Sequence, residues 1–476
     1  MALTCKRSAV LVTLGLALAR FCSACNTAVV GTSRRPDIPA IAEYFGTKAR
    51  YEEVNPDLIN NILTVHTSVA HLPYGDCTPV HVTAVIRHGT RYPTAKNVRK
   101  IRQLYELVLE KSRDSGEGWL QEIRSKWEMW YHDGMDGQLV EKGQFDHRNL
   151  AVRLATVFPT LLSKDNLLSD RLRFITSSKH RCVDSIGAFQ EGLTALWQLN
   201  GTDIPPSSLP QHDDDLMRFF DHCKKFVEDV EKNKTALIEV DLFMSKSEMK
   251  RVQEKVADRL QILESDISPD LIEAAFHLCS YEFAIKKVNS PWCNLFDLED
   301  AKVLEYRNDL KQYWKRGYGY EINRKSSCPL FHDLFRRLDR AENESRINGH
   351  VSEAATVQVG HAETLLPLLS LMGFFKDEMP LTSDNFALQQ GRTFRTSRIV
   401  PYASNLLVVL HRCRDTHRVQ LLLNEKPLTF PHMSDPAPEY DTVKDFYRDL
   451  LQGCDFKKEC QLSTNSCKNS SGCGEL

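Results

Sequence analysis

The chain has 476 residues, 61 Lys plus Arg against 63 Asp plus Glu, a formal net charge of -2, and 42% hydrophobic residues. That length supports one large core carrying an insertion, or two ordinary domains. Balanced charge excludes a nucleic-acid binder that works through its overall field, so a polyanionic ligand must be drawn by a local basic cleft.

Lys6 and Arg7 precede an apolar stretch from Ala9 to Ala19, and small residues at Cys22 to Ala24 follow. This pattern reads as a secretory signal over residues 1–24, too short to span a bilayer. Its removal takes away Lys6, Arg7 and Arg20 and no acidic residue, moving the formal charge from -2 to -5. Of 14 cysteines 12 remain, an even number suited to disulfides in an oxidising compartment.

The run His81 to Ile86 reads as a strand buried on both faces. It delivers Arg87-His88-Gly89-Thr90-Arg91-Tyr92-Pro93-Thr94, in which two guanidiniums and a hydroxyl surround one imidazole. Such a flanked histidine needs an anion to offset the repulsion of its neighbours. Gly89 is expected to let the backbone approach a ligand, and a helix through Val98, Ile101, Leu104, Tyr105 and Val108 follows.

A second junction runs from Arg171 to Ser178 and sets Arg181 before a helix through Ile186, Phe189, Leu193 and Trp197. A cation at a helix start is disfavoured by the dipole, which itself hints at an anion. Residues 199–320 read as a helical insertion with a linker at Pro205 to Pro210, helices over Met249 to Leu263 and Asp270 to Lys287, and a return near Gly317 to Tyr320. The third junction is Ala355 to Val359, then Gly360-His361-Ala362-Glu363, then an apolar helix from Leu365 to Met372, where Pro367 is tolerable if it falls in the first turn.

Three strand-to-helix junctions side by side would form an anion cradle at the carboxyl end of a sheet. The expected fold is α/β, a central mainly parallel sheet flanked by helices. Its body is discontinuous, residues 25–198 and 321–476, with residues 199–320 as the helical subdomain. Glu363 beside His361 is placed to act as a general acid. HExxH, DxDxDG and GxxxxGK[ST] patterns are absent from the sequence; His132 near Asp133 and Asp136, and His212 beside Asp213 to Asp215, read as solvated acidic loops, so no metal and no cofactor are expected. Sequons at Asn200, Asn233, Asn343 and Asn469 fit exposed loops. Cys454, Cys460, Cys467 and Cys473 crowd a Ser- and Gly-rich tail that disulfides are expected to staple.

On these motifs the chain resembles the histidine acid phosphatase family, with its RHGxRxP signature, and within the acid phosphatase and phytase branch the subgroup acting on inositol polyphosphates. Arg87 to Thr94 matches the signature, and His361-Ala362-Glu363 resembles the three-residue proton-donor motif of that subgroup where many relatives carry His-Asp. Ser177 to Cys182 through Gly192 resembles the family's second arginine-bearing turn, and Arg218 to Cys223 a subgroup feature. The resemblance implies that His88 is the nucleophile, that Arg87, Arg91, Thr94, Arg181 and His361 hold phosphoryl oxygens, and that Glu363 protonates the leaving alcohol. It also implies a small polyphosphorylated substrate, inositol hexakisphosphate and lower forms with 2,3-bisphosphoglycerate as a smaller one, for which Lys96 is a candidate secondary contact. A phosphomutase and a non-catalytic inositol-phosphate-binding protein are the alternatives. The ending Gly474-Glu475-Leu476 lacks the acidic residue of a full lumenal retention signal, which leaves the endoplasmic reticulum lumen or secretion, with no membrane anchor expected.

Overall fold

The structure, a computed structural model, describes residues 38–113, 116–200 and 204–462. The signal at 1–24, Asn469, Cys467, Cys473 and the Gly474 to Leu476 ending lie outside the described residues.

The elements that place the junctions are, in chain order, β1 (Cys77–Arg87), α1 (Ala95–Lys111), α2 (Glu141–Val157), β2 (Leu172–Thr176), α3 (His180–Leu196), β3 (Gln211–His212), α4 (Ser247–Leu260), α5 (Pro269–Lys286), α6 (Leu298–Arg316), α7 (Cys328–Asn348), β4 (Ala355–Gly360), α8 (Ala362–Leu371), β5 (Asn405–Cys413), β6 (Thr416–Leu423) and β7 (Lys426–Leu428). One seven-stranded sheet runs β3-β2-β4-β1-β5-β6-β7. From β3 to β1 the pairs are parallel, and from β1 to β7 they are antiparallel. The three strands that end in the motifs are therefore neighbours, with Arg87 opposite Gly360 and Thr176 opposite Val359.

Side chains alternate across the pleat, and each face finds its own cover. Val82, Ala84 and Ile86 pack with Leu150 and Leu154 of α2 and Ile186 and Phe189 of α3. Val85 packs on the opposite face, in a core that also holds Leu104 of α1, Leu334 of α7 and Leu365 of α8. Val252 of α4, Leu278 of α5 and Leu310 of α6 belong to this same core, so the helical stretch packs continuously onto that face of the sheet. The short strand β3 pairs with Ile175 and Thr176, which carries the sheet beyond residue 199.

α8 starts at Ala362, not at Leu365, because His361 is its N-cap. Pro367 consequently lies in the helix interior, beyond the first turn where the sequence placed it. Lacking an N-H, it gives no bond to the carbonyl four residues back, that of Glu363.

The two described tail cysteines reach into the body rather than to one another: Cys454 bonds Cys328 and Cys460 bonds Cys223. Cys77–Cys413 and Cys279–Cys293 complete the set among the described residues, while Cys182 is a buried free thiol. Asn200 and Asn233 lie in exposed irregular backbone. Asn343 departs from the loop expectation, since it sits within α7 with the Ser345 hydroxyl of its sequon buried against His417 at 3.1 Å.

Candidate active site

His88 follows β1 directly and is held from both sides. Its N-H donates to the Gly360 carbonyl at the end of β4 (2.9 Å), and its carbonyl accepts from Ala403 N-H (3.2 Å). The imidazole is buried, and Nδ1 lies 2.9 Å from the Gly89 carbonyl. A carbonyl only accepts, so the proton is on Nδ1 and the lone pair of Nε2 is free. Burial, then Arg87, Arg181, His361 and Arg91, push the His88 pKa well below the ordinary imidazole range. The ring is thus neutral and nucleophilic in mild acid.

Arg87 is clamped by two main-chain carbonyls, with Nη1 donating to Thr47 (2.7 Å) and Val400 (2.5 Å), and its guanidinium lies 4.7 Å from the Tyr402 ring centre. Arg91 Nη1 donates to the Tyr92 carbonyl at 2.8 Å. The Nε atoms of Arg87, Arg91 and Arg181 and the hydroxyl of Tyr402 are buried without a hydrogen-bond partner among the described residues. Each such donor costs about 1–3 kcal/mol when left unpaired. Four of them beside one neutral histidine are suited to the oxygens of an anion.

The other junctions close on this point. Gly89 N-H donates to Ser185 Oγ (3.1 Å), which in turn donates to the Arg181 carbonyl (2.6 Å). The His88 and His361 rings stand edge to face with centroids 5.6 Å apart. Arg181 Nη2 donates to His361 Nδ1 at 3.2 Å, and His361 Nε2 lies 2.9 Å from Ser177 Oγ. Thr94 faces the same space: a Cβ added to Gly137 would lie 3.8 Å from Thr94 Cγ2 and 3.9 Å from Arg181 Nη1. Lys96 is exposed on the first turn of α1.

Glu363 stands in the first turn of α8. Burial alone would raise its carboxyl, but Arg316, His361 and Arg87 outweigh burial and hold it at about 2. His361 itself is lowered to about 3, by burial first and Arg181 next. The free site therefore holds a carboxylate and two neutral imidazoles among guanidiniums.

Gly89 makes a close approach within the protein itself. A Cβ there would meet the Gly143 carbonyl at 2.5 Å, so its bareness serves the close passage of the signature against α2. The acidic run near His212 also has a different use, because Asp214 Oδ1 accepts from Ser178 N-H at 2.9 Å and anchors the second junction.

Residues 80–424 match the sequence model of the histidine phosphatase superfamily, branch 2. The chain belongs to this superfamily. It is 50% identical over 449 residues to multiple inositol polyphosphate phosphatase 1 of Homo sapiens, covering 90% of this chain and 91% of the relative. The phytase of D. castellii superposes with a TM-score of 0.71 at 17% identity, over 90% of this chain and 92% of that one. The multiple inositol polyphosphate phosphatase of Bifidobacterium longum, in complex with inositol hexasulfate, gives 0.67 at 14%, over 87% and 98%.

For a branch 2 histidine phosphatase, several residues around the signature lie outside the motifs. Tyr402 covers Arg87, and burial pushes its hydroxyl up to about 12. Arg316 ends α6 and acts on Glu363. The short turn Gly46–Lys48 packs on α5 and α6 and carries Lys48, which burial lowers to about 7 against the pull of Glu273, with Lys311, Arg91 and Arg87 adding to the fall. Glu273, His277 and Tyr281 recur every four residues on α5, and Arg307 and Lys311 do so on α6, which puts each set on one helix face. Arg307 ion-pairs with Glu273, so the two faces meet. Helical periodicity marks these positions as polar, but nothing in their spacing directs them toward a strand end far away in the chain.

Proposed function

We propose that this phosphatase hydrolyses phosphomonoesters of inositol polyphosphates, inositol hexakisphosphate and lower forms, through a phosphohistidine on His88. The observation that carries the reading is a buried neutral imidazole with Nε2 free, surrounded by unpaired cationic donors. The identity to the human relative, over nine tenths of both chains, supports the substrate class.

In the proposed reaction Nε2 of His88 attacks phosphorus, the phosphorus–ester oxygen bond breaks, and Glu363 gives its proton to the departing alcohol. Water then attacks the phosphohistidine with Glu363, now ionised, taking a proton, which releases phosphate and restores His88. Arg87, Arg91, Thr94 and Arg181 hold the equatorial oxygens, where spreading charge is best met by fixed donors. His361 contributes by holding Arg181 through Nδ1. Glu363 is ionised in the free site; a polyanion offsets the field of Arg316 and Arg87 and lets the carboxyl carry a proton.

The lowered pKa values of Lys48, Lys311 and His277 favour a ligand with several phosphates, because additional negative charge relieves like-charge repulsion that one phosphate at His88 leaves in place. 2,3-Bisphosphoglycerate, with fewer phosphates, is the poorer substrate. Lys96 is a peripheral contact at most. The four disulfides among the described residues fit folding in the secretory pathway, where Asn200 and Asn233 are accessible acceptors for glycan in irregular backbone.

The test is incubation with inositol hexakisphosphate, separation of products by ring position, and acid-quenched trapping of labelled enzyme. Free phosphate with a labelled histidine that is lost in His88→Ala supports the proposal. Phosphoryl transfer to an acceptor without phosphate release indicates a mutase, and tight binding without turnover a binding protein; either result sinks it.

A further inference from the structure

A second cationic concavity lies along β2, away from the catalytic junctions. Arg173, Ile175 and Gln211 from the sheet edge and Arg336, Arg337 and Arg340 from α7, with Glu353, line a cavity of about 180 Å³. The opening has a structural cause. β3 pairs with β2 only at Ile175 and Thr176, so Arg173 stands on a flank of β2 without a neighbouring strand. On its other side Arg173 is opposite Thr356 of β4, and the Thr356 hydroxyl accepts from Arg337 Nη1 at 3.1 Å. The arginines of strand and helix thus converge over one pair of residues.

Their charges are only partly met. Arg173 pairs with Asp170 at 2.9 Å, Arg336 and Arg337 share Asp333, and Arg337 also reaches Glu353. Asp333 is further occupied by Gln358 Nε2 at 2.6 Å. Arg340 is exposed and has no ion pair among the described residues, and the Arg336 side chain is 66% exposed. Four guanidiniums against Asp170, Asp333 and Glu353 leave a net positive pocket. Guanidinium forks match tetrahedral oxyanions in geometry as well as charge. The open concavity is large enough to admit a phosphate group.

The geometry points to a second phosphate-binding site at Arg173, Arg336, Arg337 and Arg340, separate from the catalytic one. Arg173 precedes Ser177 by four residues, about 13 Å along a strand, so one phosphate group is too small to bridge the two sites. The ligand is either free phosphate, the product, or one phosphate group of an inositol polyphosphate left outside the catalytic cleft. The choice of phosphate as ligand rests on the phosphatase reading; the site itself rests on the arginines.

Calorimetric titration of the full chain carrying His88→Ala, with inositol hexakisphosphate and separately with inorganic phosphate, tests this. Two sites per chain are expected for at least one ligand, the weaker becoming at least tenfold weaker when Arg336→Ala and Arg340→Ala are added. A second site seen with inorganic phosphate assigns it to product, and one seen only with the hexakisphosphate assigns it to substrate. The same two substitutions in otherwise unaltered enzyme leave kcat/KM within twofold, and both positions are exposed enough for the fold to tolerate them. A single site for both ligands, a second site that survives the double substitution, or a large fall in kcat/KM overturns the inference.

Discussion

Arg181 Nη2 donates to Nδ1 of His361 at 3.2 Å, and this single bond decides which nitrogen of that ring carries a proton. A guanidinium cannot accept, so neutral His361 is protonated at Nε2 and donates to Ser177 Oγ at 2.9 Å. Ser177 is therefore a positioning residue, fully buried behind the ring. Ser177→Ala is expected to lower kcat/KM about tenfold, the scale of one buried hydrogen bond, with Ser177→Thr retaining most activity. The threonine variant checks the cause, because its hydroxyl can accept the same Nε2-H bond: a Ser177→Thr enzyme as impaired as Ser177→Ala points to mere loss of packing.

Glu363 acts in the proposed reaction at the leaving oxygen, so its importance depends on how badly that oxygen needs a proton. Glu363→Gln should slow an alkyl phosphate at least a hundredfold, within the usual range for a general acid, and an aryl phosphate far less in the phosphorylation step. Burst kinetics separate that step from hydrolysis of the intermediate. Equal damage to both substrates in the burst removes Glu363 from the acid role.

Gly143 of α2 passes beside the signature, where an added Cβ would meet Thr90 N at 2.7 Å. Gly143→Ala must push the signature away from α2 and is expected to cost about 1–3 kcal/mol. A lower urea midpoint with reduced kcat/KM is the expected result. Wild-type values for both would show that the helix can shift at no cost.

Buried histidines make the fold acid-labile. Burial holds His147 and His411 at about 4, and burial with Arg181 holds His361 at about 3, against 6.5 for the free side chain. Between those values the unfolded chain binds more protons than the folded one, so this stability is complete above pH 6.5 and is lost as pH falls toward 4. Asp146 works in the opposite sense, since burial holds it at about 6 against 3.8, and the folded state binds its proton between those values. Three imidazoles outweigh one carboxyl, and Tm should fall from pH 7 to pH 5. A higher Tm at pH 5 contradicts the argument.

The proposed nucleophile His88 and the arginines around it were legible as candidates because Arg87 to Thr94 form a contiguous segment after an apolar strand, and the same holds for His361 and Glu363 at the end of β4. Helices α1, α3, α4 and α5 followed from their apolar spacing, with boundaries shifted by a few residues. The start of α8 was missed because His361 caps the helix through its backbone, with N-H to Thr364 Oγ1 at 2.9 Å, and an apolar pattern does not register a cap. The tail cysteines offered no pairing, since Cys454 and Cys460 find Cys328 and Cys223 only after the chain has crossed the molecule.

Arg316, Tyr402 and Lys48 show where local pattern stops. Each belongs to a segment whose own sequence accounts for it as a helix end, a loop aromatic or a turn. Strand and helix arise from sterics and burial repeated over a few residues, so a window of sequence carries them. The field that keeps His88 neutral and Glu363 ionised is a sum over distances in space, and those distances exist only once the crossovers have stacked three strand ends together and laid α5 and α6 against them.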